Sequence, residues 1–323
     1  MRVEEKNYIA KVVANKLSKN IAELSDDYNE LYMRIFNCDM YFAKVHPKYK
    51  GVFYYYKNNT IYIDEERSIK DIDEYVVHEC LHYIQNFNNI TKKDNRAGLC
   101  EFTEFKIKGL GINEAIAQYI TAKALGLKIH RVSNSKIAIY TNSESYYKYM
   151  TSLAMQILYL IGETEAIDSS INTNDEFETL LYNTFEENTD KILKNFDNIL
   201  DENNSEARDE NKIIEIYMQT QELIYTTYFN KSCKYLTKST EVDIEVDKLD
   251  NYDKIMGTLI NDDTYYNNFW KFKEDISGKF FKKYVDLSRE RTRNSLAVIA
   301  KSPFQKIWLK IVNFVNGNRE KKF

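Results

Sequence analysis

Apolar residues recur at spacings of three and four over much of the chain, which is the pattern of amphipathic helices. The first case covers residues 7–36, where one or two helices are predicted as a packing layer. No proline lies between Lys48 and Ser302, so that long helices are permitted there. Further helices are predicted over residues 146–162, 177–200, 213–229, 264–275 and 279–300.

Two short stretches are instead rich in aromatic and β-branched residues, which strands prefer. They cover residues 51–56 and 60–63, and the polar residues 57–59 between them predict a β-hairpin. Short strands are also predicted near residues 101–107, 136–140 and 242–246. The predicted fold class is therefore α+β, predominantly α-helical, with a small β-sheet or hairpin.

The helix predicted after the hairpin carries the sequence His78-Glu79-Cys80-Leu81-His82. Ser68 and Asp71 have capping-box spacing and predict where it begins. Two histidines four residues apart lie on one helix face and can bind a single zinc ion. Glu79 lies close enough to deprotonate a metal-bound water, which makes it the candidate general base. A solvated helix face is the alternative, and Cys80 points away as a core residue.

A third ligand is expected, because catalytic zinc usually has three protein ligands and one open position. Glu114 is the best candidate, since Gly109 and Gly111 end one segment and helical spacing then continues to Gly126. Glu114 would lie in the first turn of this second helix. The alternative is that its charge merely complements the positive helix N-terminus.

Together, His78-Glu79-Cys80-Leu81-His82 and Asn113-Glu114-Ala115-Ile116 resemble the gluzincin metallopeptidases, the thermolysin-like branch of the zincins. The resemblance spans residues 51–126 and implies a zincin-like core of the minigluzincin type. It implies one Zn²⁺ per chain on His78, His82 and Glu114, with Glu79 as the base. Gln118 departs from the pattern, which often has Asp there to orient a zinc-binding histidine.

Other candidate site residues are weaker. A group that stabilises the oxyanion must donate a hydrogen bond to it, and several side chains qualify without one being preferred: His130, Tyr140, Tyr146, Tyr147 and Tyr149. His46 is interpreted as a surface or turn residue. Arg96, in a polar loop between the two motif helices, is a possible substrate contact.

Composition narrows the function classes. A net charge of −4 argues against a general nucleic-acid binder, because phosphates require a basic surface. The four cysteines are scattered without a C-x-x-C pair, which favours reduced thiols: Cys38, Cys80, Cys100 and Cys233. No apolar signal segment or run of 18 apolar residues is present, so a soluble cytoplasmic protein is expected.

The polar stretch 201–212 predicts a soft boundary between a metallopeptidase domain, residues 1–200, and a helical C-terminal region, residues 201–323. Within that region, residues 304–315 form an amphipathic pattern flanked by lysines. Residues 303–323 could bind a membrane surface, although docking on the body of the protein is the more ordinary interpretation.

The sequence therefore predicts a zinc-dependent metallopeptidase that hydrolyses a peptide or protein substrate by metal-activated water, with Glu79 as general base. The alternative is a non-catalytic zinc-binding interaction protein, associated with a membrane surface through its C-terminal helix. These two hypotheses differ in whether zinc is accompanied by peptide cleavage.

Overall fold

In the computed structural model, the described residues are 1–70, 72–92, 96–102, 107–134, 136–143 and 147–238. Those up to Tyr228 belong to one compact unit. This part of the chain is a mixed α/β structure that is mostly helical and contains small sheets, as the sequence predicts. No helix in the described ranges is long and apolar enough to cross a membrane.

Nine α-helices occur in these ranges: α1 (Val3–Asn20), α2 (Tyr28–Asn37), α3 (Glu74–Lys92), α4 (Leu110–Ala124), α5 (Lys148–Ile161), α6 (Thr164–Asn172), α7 (Glu176–Phe185), α8 (Thr189–Asn204) and α9 (Glu210–Lys238). The central helix is α4, which packs against α1, α3, α5, α6 and α8. Most of its side chains are buried, including the polar residues Asn113, Gln118 and Thr121.

The strands form three small sheets. The first contains β1 (Asp39–Ala43), β2 (Val52–Tyr55) and β3 (Thr60–Asp64) in the order β1-β3-β2. The second contains β4 (Arg96–Ala97), β5 (Cys100–Phe102) and β6 (Ile107–Lys108), and β7 (His130–Ser133) pairs with β8 (Ala138–Thr141). The predicted hairpin is confirmed, because β2 and β3 are antiparallel.

The first sheet also contains a strand that the sequence pattern did not predict. Strand β1 runs parallel to β3, with Met40 opposite Ile61. Met40 is buried whereas Tyr41 is exposed, so the strand is buried on one face only. Its five residues follow directly on α2, and so short an alternation is easily hidden behind a helical pattern.

The predicted start of α3 is wrong. The helix begins at Glu74, and Asp73 Oδ1 accepts hydrogen bonds from the backbone N–H groups of Tyr75 and Val76 at 3.1 and 3.3 Å. Arg67 holds the Asp73 carboxylate through two nitrogens, at 2.9 and 2.6 Å. Asp73 is therefore the N-cap, while Ser68 Oγ accepts from the N–H of Lys70 in a local turn.

The single helix predicted over residues 177–200 is also wrong, because it is two helices. Helix α7 ends at Phe185, a 3₁₀ turn covers Glu186–Asn188, and α8 begins at Thr189. Glu186 has a positive φ of 49°, which a continuous helix cannot contain. The break lets Phe185 and Phe196 both enter the core, where each is fully buried.

The N-terminal prediction is confirmed as two helices, with Ile9, Val13 and Leu17 of α1 buried in the core. Cys38, Cys80 and Cys100 are buried free thiols, and Cys80 is a core residue as predicted. Residues 239–323 lie outside the described part of the chain, including the helices predicted at 264–275 and 279–300, the strand at 242–246 and the segment 303–323. The division at residues 200 and 201 stays a prediction.

Candidate metal centre

His78, His82 and Glu114 come together between α3 and α4. His78 Nε2 lies 2.9 Å from His82 Nε2 and 3.2 Å from Glu114 Oε2, and His82 Nε2 lies 3.2 Å from Glu114 Oε1. One ligand atom from each residue lies within 4.8 Å of the others, so the group could hold a metal ion. The arrangement agrees with the ligand set expected from the sequence.

The positions of these side chains follow from the packing of the two helices. On α3, the spacing of four residues places both imidazoles on one face, one turn apart. On α4, Gly109 has a positive φ of 77° and ends the preceding segment, so that Glu114 lies in the first two turns of the helix. His78 is fully buried, whereas His82 and Glu114 keep 13% and 15% of their side-chain surface exposed.

The second nitrogen of His82 is held by an amide. His82 Nδ1 lies 2.9 Å from Gln85 Oε1, which also accepts from Asn113 Nδ2 at 3.2 Å. Asn113 Oδ1 accepts from the N–H of Leu99 at 2.9 Å, so Asn113 presents its NH₂ group to Gln85 Oε1 and fixes the orientation of the Gln85 amide, whose Nε2 donates to Ser170 Oγ at 2.6 Å. An acceptor at Nδ1 requires N–H there and leaves the lone pair of Nε2 for a metal.

His78 has a similar partner. The Gln118 side chain lies beside the imidazole and raises the pKa of His78, although burial and His82 lower it more. Gln118 Nε2 in turn lies 2.7 Å from Ser143 Oγ and 3.1 Å from Glu74 Oε2. Gln118 therefore occupies the orienting position that the sequence pattern assigned to an Asp, and it does so with a neutral amide.

These residues fit a metal ion better than they fit one another without it. Two Nε2 atoms and a carboxylate converge, and only one proton can lie between the two imidazole nitrogens, which are 2.9 Å apart. Burial and the neighbouring His82 lower the pKa of His78, although Glu114 and Gln118 act in the opposite direction. Burial opposes charge on His82 also, but the Glu114 carboxylate raises the pKa of His82 to about 9.

The Glu114 carboxyl group is ionised at neutral pH. Burial alone would raise the pKa of its carboxyl group, but the two imidazoles lower it well below the ordinary range. The site thus carries one negative ligand and two imidazoles whose protons a dication would displace. This donor set, of two nitrogens and one carboxylate oxygen, is one that divalent transition metals bind.

Glu79 is buried beside the ligands and bonded to the sheet. Its Oε2 accepts a hydrogen bond of 2.8 Å from the backbone N–H of Tyr54 in β2. Burial raises the pKa of Glu79 to about 7, with a smaller contribution in the same direction from Glu114, while His82 and the Tyr54 N–H act in the opposite direction. A carboxylate with this pKa can accept a proton at neutral pH and release it again.

A cleft of about 260 Å³ opens over the centre. Glu79, His82 and Glu114 lie in its wall, and the remaining surface is largely aromatic and aliphatic. The rings of Tyr49 and Phe53 stack at 4.2 Å, and those of Tyr56 and Phe102 at 5.9 Å. Such a cleft can receive an uncharged chain with bulky side chains and bring it to the buried carboxylate.

Of the weaker candidates, Tyr147 alone among those described lies in the cleft wall. Its ring centroid is 6.2 Å from that of His78, and its φ of 52° is unusual for a residue with a side chain. The hydroxyl of Tyr149 instead donates to Glu210 at 2.8 Å, and His130 Nδ1 lies 3.1 Å from Lys128 O. Tyr146 lies outside the described residues.

Two further candidates, His46 and Arg96, form contacts away from the centre. His46 is exposed, and its Nδ1 accepts from the N–H of Lys48, as expected of a turn residue. Arg96 forms an ion pair with Glu178 of α7, and its contact with a substrate stays a prediction.

Sequence reasoning missed three supporting groups: Glu74, Gln85 and the backbone N–H of Tyr54. Glu74 precedes His78 by four residues and Gln85 follows His82 by three, so both share the histidine face of α3. Helical spacing could therefore have indicated them. No spacing signal points to Tyr54, because it belongs to a different element.

No protein-family model matches this chain, and no curated protein or solved structure matches it at a significant level.

Proposed function

We propose that this chain is a zinc-dependent metallopeptidase that hydrolyses a peptide bond in an extended substrate. The observation that carries the proposal is the convergence of His78, His82 and Glu114 beside a separate buried carboxylate, Glu79, in the wall of an open cleft. Three protein ligands leave a coordination position for water, and Glu79 has the pKa of a general base. The resemblance to the gluzincins points to the same chemistry and to a zincin-like core.

A bound zinc ion would lower the pKa of a coordinated water to about 7 and polarise the substrate carbonyl. Glu79 takes the proton from the attacking water, since its own pKa of about 7 makes it a competent acceptor. The Tyr54 N–H holds Oε2, which leaves Oε1 to face the water. Glu79 then delivers the proton to the leaving amine as the C–N bond breaks, which returns the carboxylate to its ionised state.

The open edge of β2 supplies a place for the substrate backbone. The N–H of Asp64 donates to the C=O of Gly51, so the backbone polar groups of Gly51 face β3. Successive residues of a strand point their backbone polar groups in opposite directions, and those of Val52 and Tyr54 therefore face the open edge. No further strand pairs with this edge in the described part of the chain. An extended peptide bound there by β-augmentation runs past Glu79, because the Tyr54 N–H already contacts that carboxylate.

Tyr147 is the proposed oxyanion donor. Tyr147 lies in the cleft wall with Glu79 and Glu114, whereas His130, Tyr140 and Tyr149 do not line this cleft. A neutral phenolic O–H can donate to the oxygen that becomes negative when water attacks the carbonyl. The positive φ of Tyr147, at the N-cap of α5, is the kind of backbone strain that occurs at functional sites.

The proposal is tested by two substitutions and a matched control. Glu79→Gln is expected to keep about one zinc per chain and to lose peptide hydrolysis, because the metal ligands remain while the base is gone. His78→Ala is expected to lose the metal. His46→Ala removes an exposed histidine away from the centre and should change neither property.

Metal content by atomic spectrometry and cleavage of an unbiased peptide library provide the two measurements. A Glu79→Gln protein with undiminished cleavage would contradict the base assignment. Zinc bound by the unmodified protein without cleavage of any peptide would favour the alternative, a non-catalytic zinc-binding interaction protein. A preference for apolar and aromatic side chains next to the cleaved bond is expected from the cleft wall.

A further inference from the structure

A buried polar chain lies behind His78, on the side away from the cleft. It contains Glu74 of α3, Gln118 of α4 and Ser143, which follows β8, and each of these residues is at most 9% exposed. Gln118 Nε2 lies 3.1 Å from Glu74 Oε2 and 2.7 Å from Ser143 Oγ, and Ser143 Oγ lies 3.4 Å from the same carboxylate oxygen. One end of the Gln118 side chain is thus held between two groups.

The Glu74 carboxylate determines which end of the Gln118 amide faces it. An ionised carboxylate only accepts hydrogen bonds, so the amide must present its NH₂ group to Glu74 and not its oxygen. Gln118 Oε1 then faces the opposite way, toward His78. This oxygen is buried and has no hydrogen-bond partner in the described ranges, and the Gln118 side chain is close enough to His78 to favour its protonated form.

The orientation of the amide in turn determines the tautomer of His78. A carbonyl oxygen accepts only, so the imidazole must donate from Nδ1. A neutral imidazole with its proton on Nδ1 has its lone pair on Nε2, the atom that faces His82 and Glu114. The reverse orientation of the amide would favour a proton on Nε2, where it blocks metal binding.

We propose that Glu74 is a positioning residue of the metal centre, and that through the Gln118 amide it fixes the His78 tautomer that leaves Nε2 as a ligand atom. Glu74 is not among the residues that line the cleft, and the role assigned to it runs through its hydrogen bond with Gln118. The inference rests on the metal site of the proposed function and not on peptide hydrolysis.

The need for a partner that holds the amide also accounts for Gln118 standing where the gluzincin pattern often has Asp. An Asp there, as in the pattern that this chain resembles, has no donor face and would accept from an imidazole N–H in either orientation. An amide has two faces and needs a fixed partner to choose between them. Glu74 lies four residues before His78 on the same helix, so both ends of the chain Glu74–Gln118–His78 are carried by α3.

The tautomer is measured in the metal-free protein by long-range ¹H–¹⁵N NMR of histidine-labelled samples. The chain has only 4 histidines, and a His78→Ala spectrum assigns the signal. The unmodified protein is expected to carry the His78 proton on Nδ1. Glu74→Gln keeps the shape but allows the amide to turn, so a substantial fraction of the Nε2–H tautomer is expected.

A double variant that exchanges the Glu74 and Gln118 side chains tests whether the tautomer can be restored. In the double variant Glu74→Gln and Gln118→Glu, the carboxylate faces His78 directly and the amide supports it from behind. This variant is expected to restore the Nδ1–H form. Glu202→Gln is the matched control, because Glu202 is a helical carboxylate that is 8% exposed and pairs with Lys212 instead of the metal centre.

Zinc affinity, measured by competition with a chelating indicator, gives the second readout. Glu74→Gln is expected to bind zinc about tenfold more weakly and the double variant to recover this loss, while Glu202→Gln stays at the original value. Unchanged tautomer and affinity in a folded Glu74→Gln protein would overturn the inference, as would an Nε2–H proton on His78 in the unmodified protein. A protein whose tautomers respond as expected but which binds no zinc would instead refute the metal site.

Discussion

Gly111, near the start of α4, tests how the fold holds Glu114 at the metal centre. A Cβ atom at this position would lie 2.3 Å from the backbone carbonyl carbon of Phe196 and 2.5 Å from the backbone nitrogen of Asp197, both in α8. The N–H of Gly111 also donates to Asp197 Oδ1 at 2.7 Å. The two helices therefore approach each other backbone to backbone at the end of α4 that carries Glu114.

The Gly111→Ala substitution introduces a contact about 1 Å shorter than ordinary van der Waals contact, which begins near 3.4 Å. Because the opposing atoms are backbone, rotation of a side chain cannot relieve it, and α4 and α8 must separate. Overpacking of this kind costs about 1–3 kcal/mol in the free energy of unfolding. Glu114 lies one turn further along and moves with α4, so the affinity of the proposed centre for zinc is expected to fall by about 10-fold to 100-fold.

Urea unfolding and zinc competition measure the two effects in the same preparation. Gly126→Ala is the matched control at the other end of α4, where the added Cβ has no heavy atom within 4 Å and only the positive φ of 69° is unfavourable. That control is expected to lose about 1 kcal/mol and to retain its zinc affinity. A Gly111→Ala protein with undiminished stability and zinc affinity would refute the argument that α8 fixes the position of Glu114.

Three further predictions concern the groups around the ligands. First, the Glu114 charge raises the pKa of His82 from 6.5 to about 9 in the metal-free fold, so its contribution to stability is complete below about pH 6.5 and is lost as the pH rises through 9. The Tm of the metal-free protein should therefore fall over that range, and Glu114→Gln should flatten this dependence; a Tm that rises would contradict it. Second, zinc binding at pH 7 should release about one proton from His82, measured by calorimetry in buffers of different ionisation enthalpy, and release should vanish above pH 10. Third, Tyr147→Phe should lower kcat about 100-fold and leave zinc affinity unchanged; an unchanged kcat would remove Tyr147 as the oxyanion donor.

The convergence of His78, His82 and Glu114 was predictable from the sequence because its signals are local. The spacing of His78 and His82 is a property of one helix, and the glycines around Glu114 mark the start of another. The hairpin was equally visible, since its two strands are adjacent in the chain. These features depend on backbone periodicity and turn chemistry, which a single sequence states directly.

Other parts of the structure depend on contacts between distant segments. Asp73, and not Ser68, caps α3, because Arg67 fixes its carboxylate in a geometry that no spacing reveals. Strand β1 is defined by its partner β3, about twenty residues further on. The break before α8 is set by Glu186, whose residue type gives no sign of a positive φ. Tertiary contacts decided these three features over local preference.

The polar face of α3 is itself an argument for function. Glu74, His78, His82 and Gln85 follow one another at spacings of four, four and three along a helix that also buries Val76, Val77, Leu81 and Ile84 in the core. Apolar side chains would stabilise such a buried helix better, because each buried polar group must find a partner or cost free energy. Here each one is bonded to a residue of α4, of α6 or of the segment after β8. The fold thus holds four polar residues on one face of α3 and supports them from three other segments. Their positions are kept at the expense of stability, which is expected where such residues bind a ligand.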